Sequence, residues 1–250
     1  MSLQLSYMEI DPLCRVESFH ENLLAFASPQ RQVRTDPFNP ADILDNMYIP
    51  AHFAADEQAV DDLLTHHGAA DLITATPEGV VATILPFVYD PGMRTLRGHL
   101  ARNNDQWRRP VVGEALVIVR GPDAYISPAW YPSKAEHGRV VPTWNYVTAH
   151  VYGRLAVHDD PAWVEQNVRD LTGRHEAGRP QSWSVDDAPP QFIEGQLRAI
   201  VGVELLITRI EAKFKLSQNQ PAADVDGVIS GLITNGHEDA AQAVQRARRA

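Results

Sequence analysis

Residues 69–90, AADLITATPEGVVATILPFVYD, hold two runs of β-branched and apolar residues on either side of Pro77-Glu78-Gly79. Two such runs around a Pro/Gly turn predict a β-hairpin, because proline fixes the entry to the turn and glycine accepts the backbone angles of its exit. The theme recurs along the chain. TLRGHL (95–100) reads as a short strand, and EALVIVRGPDAYISP (114–128) as a pair hinged at Gly121-Pro122. VPTWNYVTAHVYGRLAVHD (141–159) predicts a long strand, and VGVELLITRIEAKFKL (201–216) alternates as another. Helical spacing is sparser. Val60, Leu63 and Leu64 share a face of Asp56–His67, and Trp163, Val164, Val168 and Leu171 share a face of a helix reaching His175. APPQFIEGQLRAI, ADVDGVISGLI and HEDAAQAVQRARRA predict further helices. Closely spaced strands with few crossover helices predict a mainly β, α+β fold. The expected architecture is an antiparallel barrel over Ala70–Arg209, with the Asp56–His67 and Trp163–His175 helices outside it.

Residues 1–46 have weak periodicity and leave through the Pro- and charge-rich RQVRTDPFNPAD. They read as an appended segment with one helix around Glu17–Phe26, dispensable for folding of the rest. The expected divisions are 1–46 extension, 47–235 barrel domain and 236–250 C-terminal helix.

Composition narrows the function classes. A length of 250 residues with 44% hydrophobic content supports a sizeable core. No apolar run approaches the ~20 residues of a membrane span, and MSLQLSYMEIDPLCRV lacks the basic start and apolar core of a signal peptide. Cys14, the single cysteine, excludes an intramolecular disulfide and a Cys-based zinc site. A cytoplasmic location is the expectation. A net charge of −10 opposes nucleic-acid binding, since the basic groups at Arg102/Arg108/Arg109 and Arg246/Arg248/Arg249 form no dense stripe. The histidines form no metal signature, and neither GxGxxG, GxxxxGK[ST] nor GxSxG occurs.

Three segments carry polar chemistry. Residues 124–146, AYISPAWYPSKAEHGRVVPTWNY, interleave Tyr125, Trp130, Tyr131, Trp144 and Tyr146 with Ser127, Ser133, Lys134, Thr143 and Asn145. Flat aromatic faces beside hydrogen-bonding groups suit a planar ligand with a polar edge, although the same run also fits core packing. Lysine is scarce, with three against nineteen arginines: Lys134 lies here, and Lys213 and Lys215 lie in KFKLSQN with Ser217, Gln218 and Asn219. That placement suits mobile ammonium groups that meet an anion. GHLARNNDQW (98–107) adds His99, Arg102, Asn103 and Asn104, which read either as a phosphate-binding turn or as a capped surface turn.

MYIPAHF, GHLARNNDQW, GPDAYISPAWYP, VVPTWNYVTAHVYG, LTGRHEAGRP and KFKLSQNQP stand in the order found in the PaiB-like family of FMN-binding negative transcriptional regulators, which this chain resembles from about Met47 to Leu232. The resemblance implies an antiparallel split β-barrel of the FMN-binding type, related to pyridoxamine-phosphate oxidases. It also implies a homodimer with flavin in clefts between protomers. FMN phosphate would fall to His99, Arg102, Asn103 and Lys134, and the ring edge to Trp144 and Asn145, with Lys215, Gln218 and Asn219 closing the site. Loss of Arg102 would then weaken FMN and spare riboflavin. One departure is Ile84-Leu85-Pro86, where many relatives carry His-Leu-Pro. The functions implied are flavin binding with indirect transcriptional regulation or, alternatively, an FMN-dependent oxidoreductase of unknown substrate; a dimer that has lost its ligand is a third reading. No catalytic residue is assigned, although His99 has the chemistry for proton transfer near neutral pH.

Overall fold

The computed structural model describes residues 47–249. The helix expected around Glu17–Phe26 lies outside them. A 3-10 turn at Ala51–Phe53 leads into α1 (Glu57–His66), which Asp56 caps by accepting the Ala59 amide at 2.7 Å. Strands β1 (Ala69–Thr76), β2 (Gly79–Pro86), β3 (Val88–Asp90), β4 (Thr95–Ala101) and β5 (Ala115–Ile126) follow. The remaining elements are α2 (Ser133–His137), β6 (Thr143–His158), α3 (Pro161–Glu176), α4 (Pro190–Arg198), β7 (Ile200–Lys215), α5 (Ala222–Thr234) and α6 (Glu238–Arg249).

The seven strands form one antiparallel sheet in the order β2-β1-β5-β6-β7-β4-β3. It curls so that β2 approaches β4, yet no ladder joins them, which leaves the barrel split on that side. The 3-10 turn at Asp105–Arg108 fills the seam. Gln106, 1% exposed, donates to the Leu72 carbonyl at 3.2 Å and the Thr74 hydroxyl at 3.1 Å, and Asn104 donates to Thr83 at 2.9 Å. Leu72, Phe87, Leu96, Leu100, Val117, Val151 and Leu205 pack the interior with Leu64 of α1. A second core, including Ile126, Tyr131, Val228, Leu232 and Val244, joins the α5–α6 hairpin to the far end of β5 and β6.

Two sequence expectations change. The segment hinged at Gly121-Pro122 is one strand, β5, with a bulge between Arg120 and Asp123, and it pairs with β6 on both sides of it. A Cβ on Gly121 would lie 2.8 Å from the Val147 Cβ, so close strand packing demands glycine there. Proline is tolerated beside it because a bulge relieves the need for its missing N–H. The barrel also outruns its expected end at Arg209, since β6 and β7 pair as far as Tyr146↔Lys215, the full length of the strand expected over 201–216. That extension carries the end of β7 to the candidate site. Among the described residues no helix is long and apolar enough to cross a membrane, and no cluster of His, Cys, Asp or Glu could hold a metal ion.

Candidate functional site

Period-two alternation sorts β6 into two faces. Asn145, Val147 and Ala149 turn inward, while Trp144 and Tyr146 turn outward. At the joined ends of β6 and β7, Asn145 is 1% exposed and its amide donates to the Ser217 hydroxyl at 2.9 Å. Ser217 is itself buried and holds a left-handed backbone with φ of 67°. Non-glycine residues in that conformation carry strain and cluster at ligand clamps and active sites. Lys215 donates to the Trp144 carbonyl at 2.7 Å and to the Thr143 hydroxyl. Burial, with the Lys213 charge nearby, pushes the Lys215 ammonium below the usual lysine range. These groups open onto a cleft of about 440 Å3 between the strand ends, α2 and the start of α5.

Three of the nine expected site residues, Asn145, Lys215 and Asn219, line this cleft. Lys134 lies on the exposed face of α2, whose first residue Ser133 donates through its amide and hydroxyl to Asp224 of α5. Gln218 folds back on its own turn, accepting from the Leu216 amide at 2.7 Å and donating to the Phe214 carbonyl at 2.5 Å. It lines a second, more apolar cleft of about 1020 Å3 with Leu63, Arg120, Phe214 and Arg246. Trp144 lies on the outer face, half exposed, donating to Asp123 at 2.9 Å and edge-on to Tyr125 at 6.2 Å.

His99, Arg102 and Asn103 sit elsewhere. Ala101 pairs with Ile200 at one end of β7 and Tyr146 with Lys215 at the other, so roughly 50 Å of strand separates the two groups. Arg102 directs its guanidinium to Asp159 at 2.6 and 3.1 Å and to the carbonyls of Arg198 and Ile200 at 2.8 and 3.0 Å. The hydrogen bond from Arg102 holds the Asp159 carboxyl below its ordinary range. Asn103 is exposed. His99 faces the layer between β4 and α3; its Nδ1 is buried without a partner among the described residues, and burial lowers its pKa. Its ladder partner Gly202 lies under the Trp163 ring, which stacks on His158 at 4.0 Å. His99 is half-buried there, in the setting of a packed histidine.

Asp224, His137 and Arg139 belong to the cleft but do not stand out in the sequence, and Ser217 stood out only as a polar residue of the strand end. A left-handed serine has no sequence signal, and Asp224 reads as an ordinary first-turn acid of α5. Only the packing of α2 against α5 brings the others together.

Residues 47–209 match the family described as "Putative FMN-binding domain". The chain belongs to this family. FMN is accordingly its cofactor, and the split barrel is the fold that holds it. The Bacillus subtilis protein named protease synthase and sporulation protein PAI 2 is 30% identical over 200 residues, covering 78% of this chain and 94% of its own. An uncharacterized Emericella nidulans protein is 30% identical over 230 residues, covering 76% of this chain and 92% of its own. In fold, the chain is similar to the flavocytochrome Anf3 from Azotobacter vinelandii, with a TM-score of 0.52 at 14% identity over 68% of this chain and 73% of that one. It is also similar to a conserved hypothetical protein of Mycobacterium tuberculosis, Rv2991, with a TM-score of 0.50 at 12% identity over 70% and 94% of the two chains.

Proposed function

We propose that this split-barrel protein works as a homodimer with FMN between the two copies. The carrying observation is the separation of the two residue groups. Within one chain, Lys134, Asn145 and Lys215 stand at one end of β7 and the Arg102–Asn103 turn at the other. A single flavin meets both only if a second copy brings the opposite end alongside. The sheet offers a surface for such pairing. Val80 and Ile84 are 73% and 66% exposed on β2, and Ala75, the ladder partner of Val80, shares that outer face. Exposed apolar patches of this kind mark interfaces.

The residues fit the cofactor. A buried carboxamide held by a strained serine suits the polar ring edge of a flavin, and Trp144 and Tyr125 add flat apolar faces. FMN when bound supplies the redox chemistry, while the chain orients the ring and excludes water. In this reading Asn145 and Lys215 bear on the ring edge, Trp144 and Asn219 flank it, Lys134 stands ready for the phosphate, and Gln218 and Arg102 hold the loops in place. Regulation by this protein is indirect, through the flavin's state or a partner, because a net charge of −10 opposes a DNA contact.

Mixing tests the arrangement. Lys215→Met weakens one half of the site and Asn103→Asp the other, and neither variant alone binds FMN well. Subunit exchange between them restores about a quarter of the sites, since half of the dimers are mixed and each mixed dimer has one intact site. No restoration, or a monomer by light scattering, rejects the shared site. In the same FMN-loaded protein, bleaching of the flavin spectrum by NADH or NADPH would add catalysis to binding.

A further inference from the structure

We propose that the cleft at the ends of β6 and β7 binds a small organic anion, a carboxylate or phosphate monoester carried on a short apolar or aromatic body. It rests on the flavin reading only in that the ring edge is placed on the same strand ends. In a chain of net charge −10, this recess reverses the balance. Arg139 and Lys215 line it, with the His137 ring beside them, against one carboxylate, Asp224. Asp224 is 3% exposed, and its two oxygens accept from Ser133, from the amide at 3.1 Å and the hydroxyl at 2.7 Å. It therefore pins α2 to α5 and leaves the cations unmatched.

The donors are arranged for an acceptor. His137 Nδ1 accepts from the Arg139 amide at 3.0 Å, which places the proton of the neutral ring on Nε2. The Lys215 ammonium uses two N–H bonds on Thr143 and Trp144 and keeps a third. Among the described residues the Arg139 guanidinium has no protein partner. Ser217, held in its left-handed conformation, closes the floor with Asn145. The walls are mixed: Tyr131, Val140 and Pro142 give apolar surface, and about 440 Å3 falls within the ~300–1,000 Å3 of small-molecule sites. A bare inorganic ion would leave that apolar wall unused, and a neutral ligand would leave the cations unpaired.

Flavin-free protein is titrated with phenyl phosphate, benzoate and, as a neutral control, benzyl alcohol, followed by calorimetry and tryptophan fluorescence. One anion binds per chain, more weakly at high salt, and benzyl alcohol does not saturate the site. Arg139→Gln, on an exposed loop, weakens the anion about tenfold or more without moving the melting temperature, and Arg139→Lys retains part of the affinity. The ratio of phenyl phosphate to benzoate affinity separates a phosphate reader from a carboxylate reader. Absence of saturable binding, or equal affinity in wild type and Arg139→Gln, overturns the proposal. So does mole-for-mole displacement of the probe by FMN but not by riboflavin, which would make the cleft the flavin's own phosphate pocket. Loss of FMN binding with the anion titration intact would instead reject the flavin placement alone.

Discussion

Four of Arg102's five N–H donors are engaged inside its own chain, on Asp159 and on the carbonyls of Arg198 and Ile200. A fork so occupied positions the Arg102–Asn104 turn and has one donor left for a phosphate. Arg102→Ala is therefore expected to lower the melting temperature and to weaken FMN and riboflavin alike. Arg102→Lys should not restore either, because an ammonium cannot span the carboxylate and both carbonyls. Fluorescence titration with both flavins checks this; selective loss of FMN would return Arg102 to the phosphate. His67 gives the pH dependence. It is 4% exposed, donates from Nδ1 to the Leu64 carbonyl at 2.6 Å, and burial lowers its pKa from 6.5 to about 4. The folded ring binds its proton more weakly than the unfolded one, so stability is complete above pH 6.5 and is lost as pH falls towards 4. The full loss is about 3 kcal/mol at about 1.36 kcal/mol per decade. Thermal melts at pH 7.5 and 5 should differ more for wild type than for His67→Gln.

At the level of elements, Trp130 and α5 are fitted to each other. A Cβ on Gly227 would lie 2.0 Å from the Trp130 carbonyl oxygen, and one on Gly231 would lie 2.2 Å from the Trp130 ring. The helix uses glycine at these two positions because the 3-10 turn Pro128–Trp130 lies directly against it. Gly231→Ala gains about 1 kcal/mol of helix propensity but forces an overpacking cost of about 1–3 kcal/mol. Net destabilisation is the expected result of urea unfolding, and adding Trp130→Ala should remove most of the Gly231→Ala increment. The same contact sets the cleft, since a displaced Trp130 moves Tyr131 and Ser133. A stabilised Gly231→Ala chain with unchanged anion affinity would show that this contact does not shape the cleft.

The described residues form a split barrel with a second core against the far end of β5 and β6. We propose that residues 1–46 are an extension and that a chain beginning at Met47 folds alone. Its first described residues are already tied to β7: the Met47 amide donates to Glu211 at 2.8 Å, and Lys213 donates to the Tyr48 carbonyl at 2.9 Å. The shortened chain should keep the melting transition of the full one; aggregation or a lost transition would make residues 1–46 part of the fold. C-terminal truncation has a different expectation. Ala240, Ala241, Ala243 and Val244 of α6 are buried in the second core, so removing 236–250 should expose α5 and destabilise the cleft end of the barrel.

Strand and helix identity was legible from the chain because β-branched alternation, the Pro77-Glu78-Gly79 turn and the Asp56 and Asp160 caps act over neighbouring residues. The ordered motifs from Met47 onward were enough to point to the family and its FMN. Local pattern misread Gly121-Pro122 as a hinge, because a bulge and a turn share residue types and only the cross-strand partner Val147 tells them apart. The site divides in the same way. Asn145, Lys215 and Asn219 were visible as polar residues at strand ends, but their meeting depends on a β6–β7 ladder that joins positions 72 residues apart. The approach of Arg139 to Asp224 was decided by packing of α2 on α5, the setting of Ser217 by its bond to Asn145, and the partner of Arg102 by Asp159 on the other side of β7. Composition and spacing report what a segment prefers alone; which cation faces a carboxylate and which faces an open cleft is decided only when distant segments close over them.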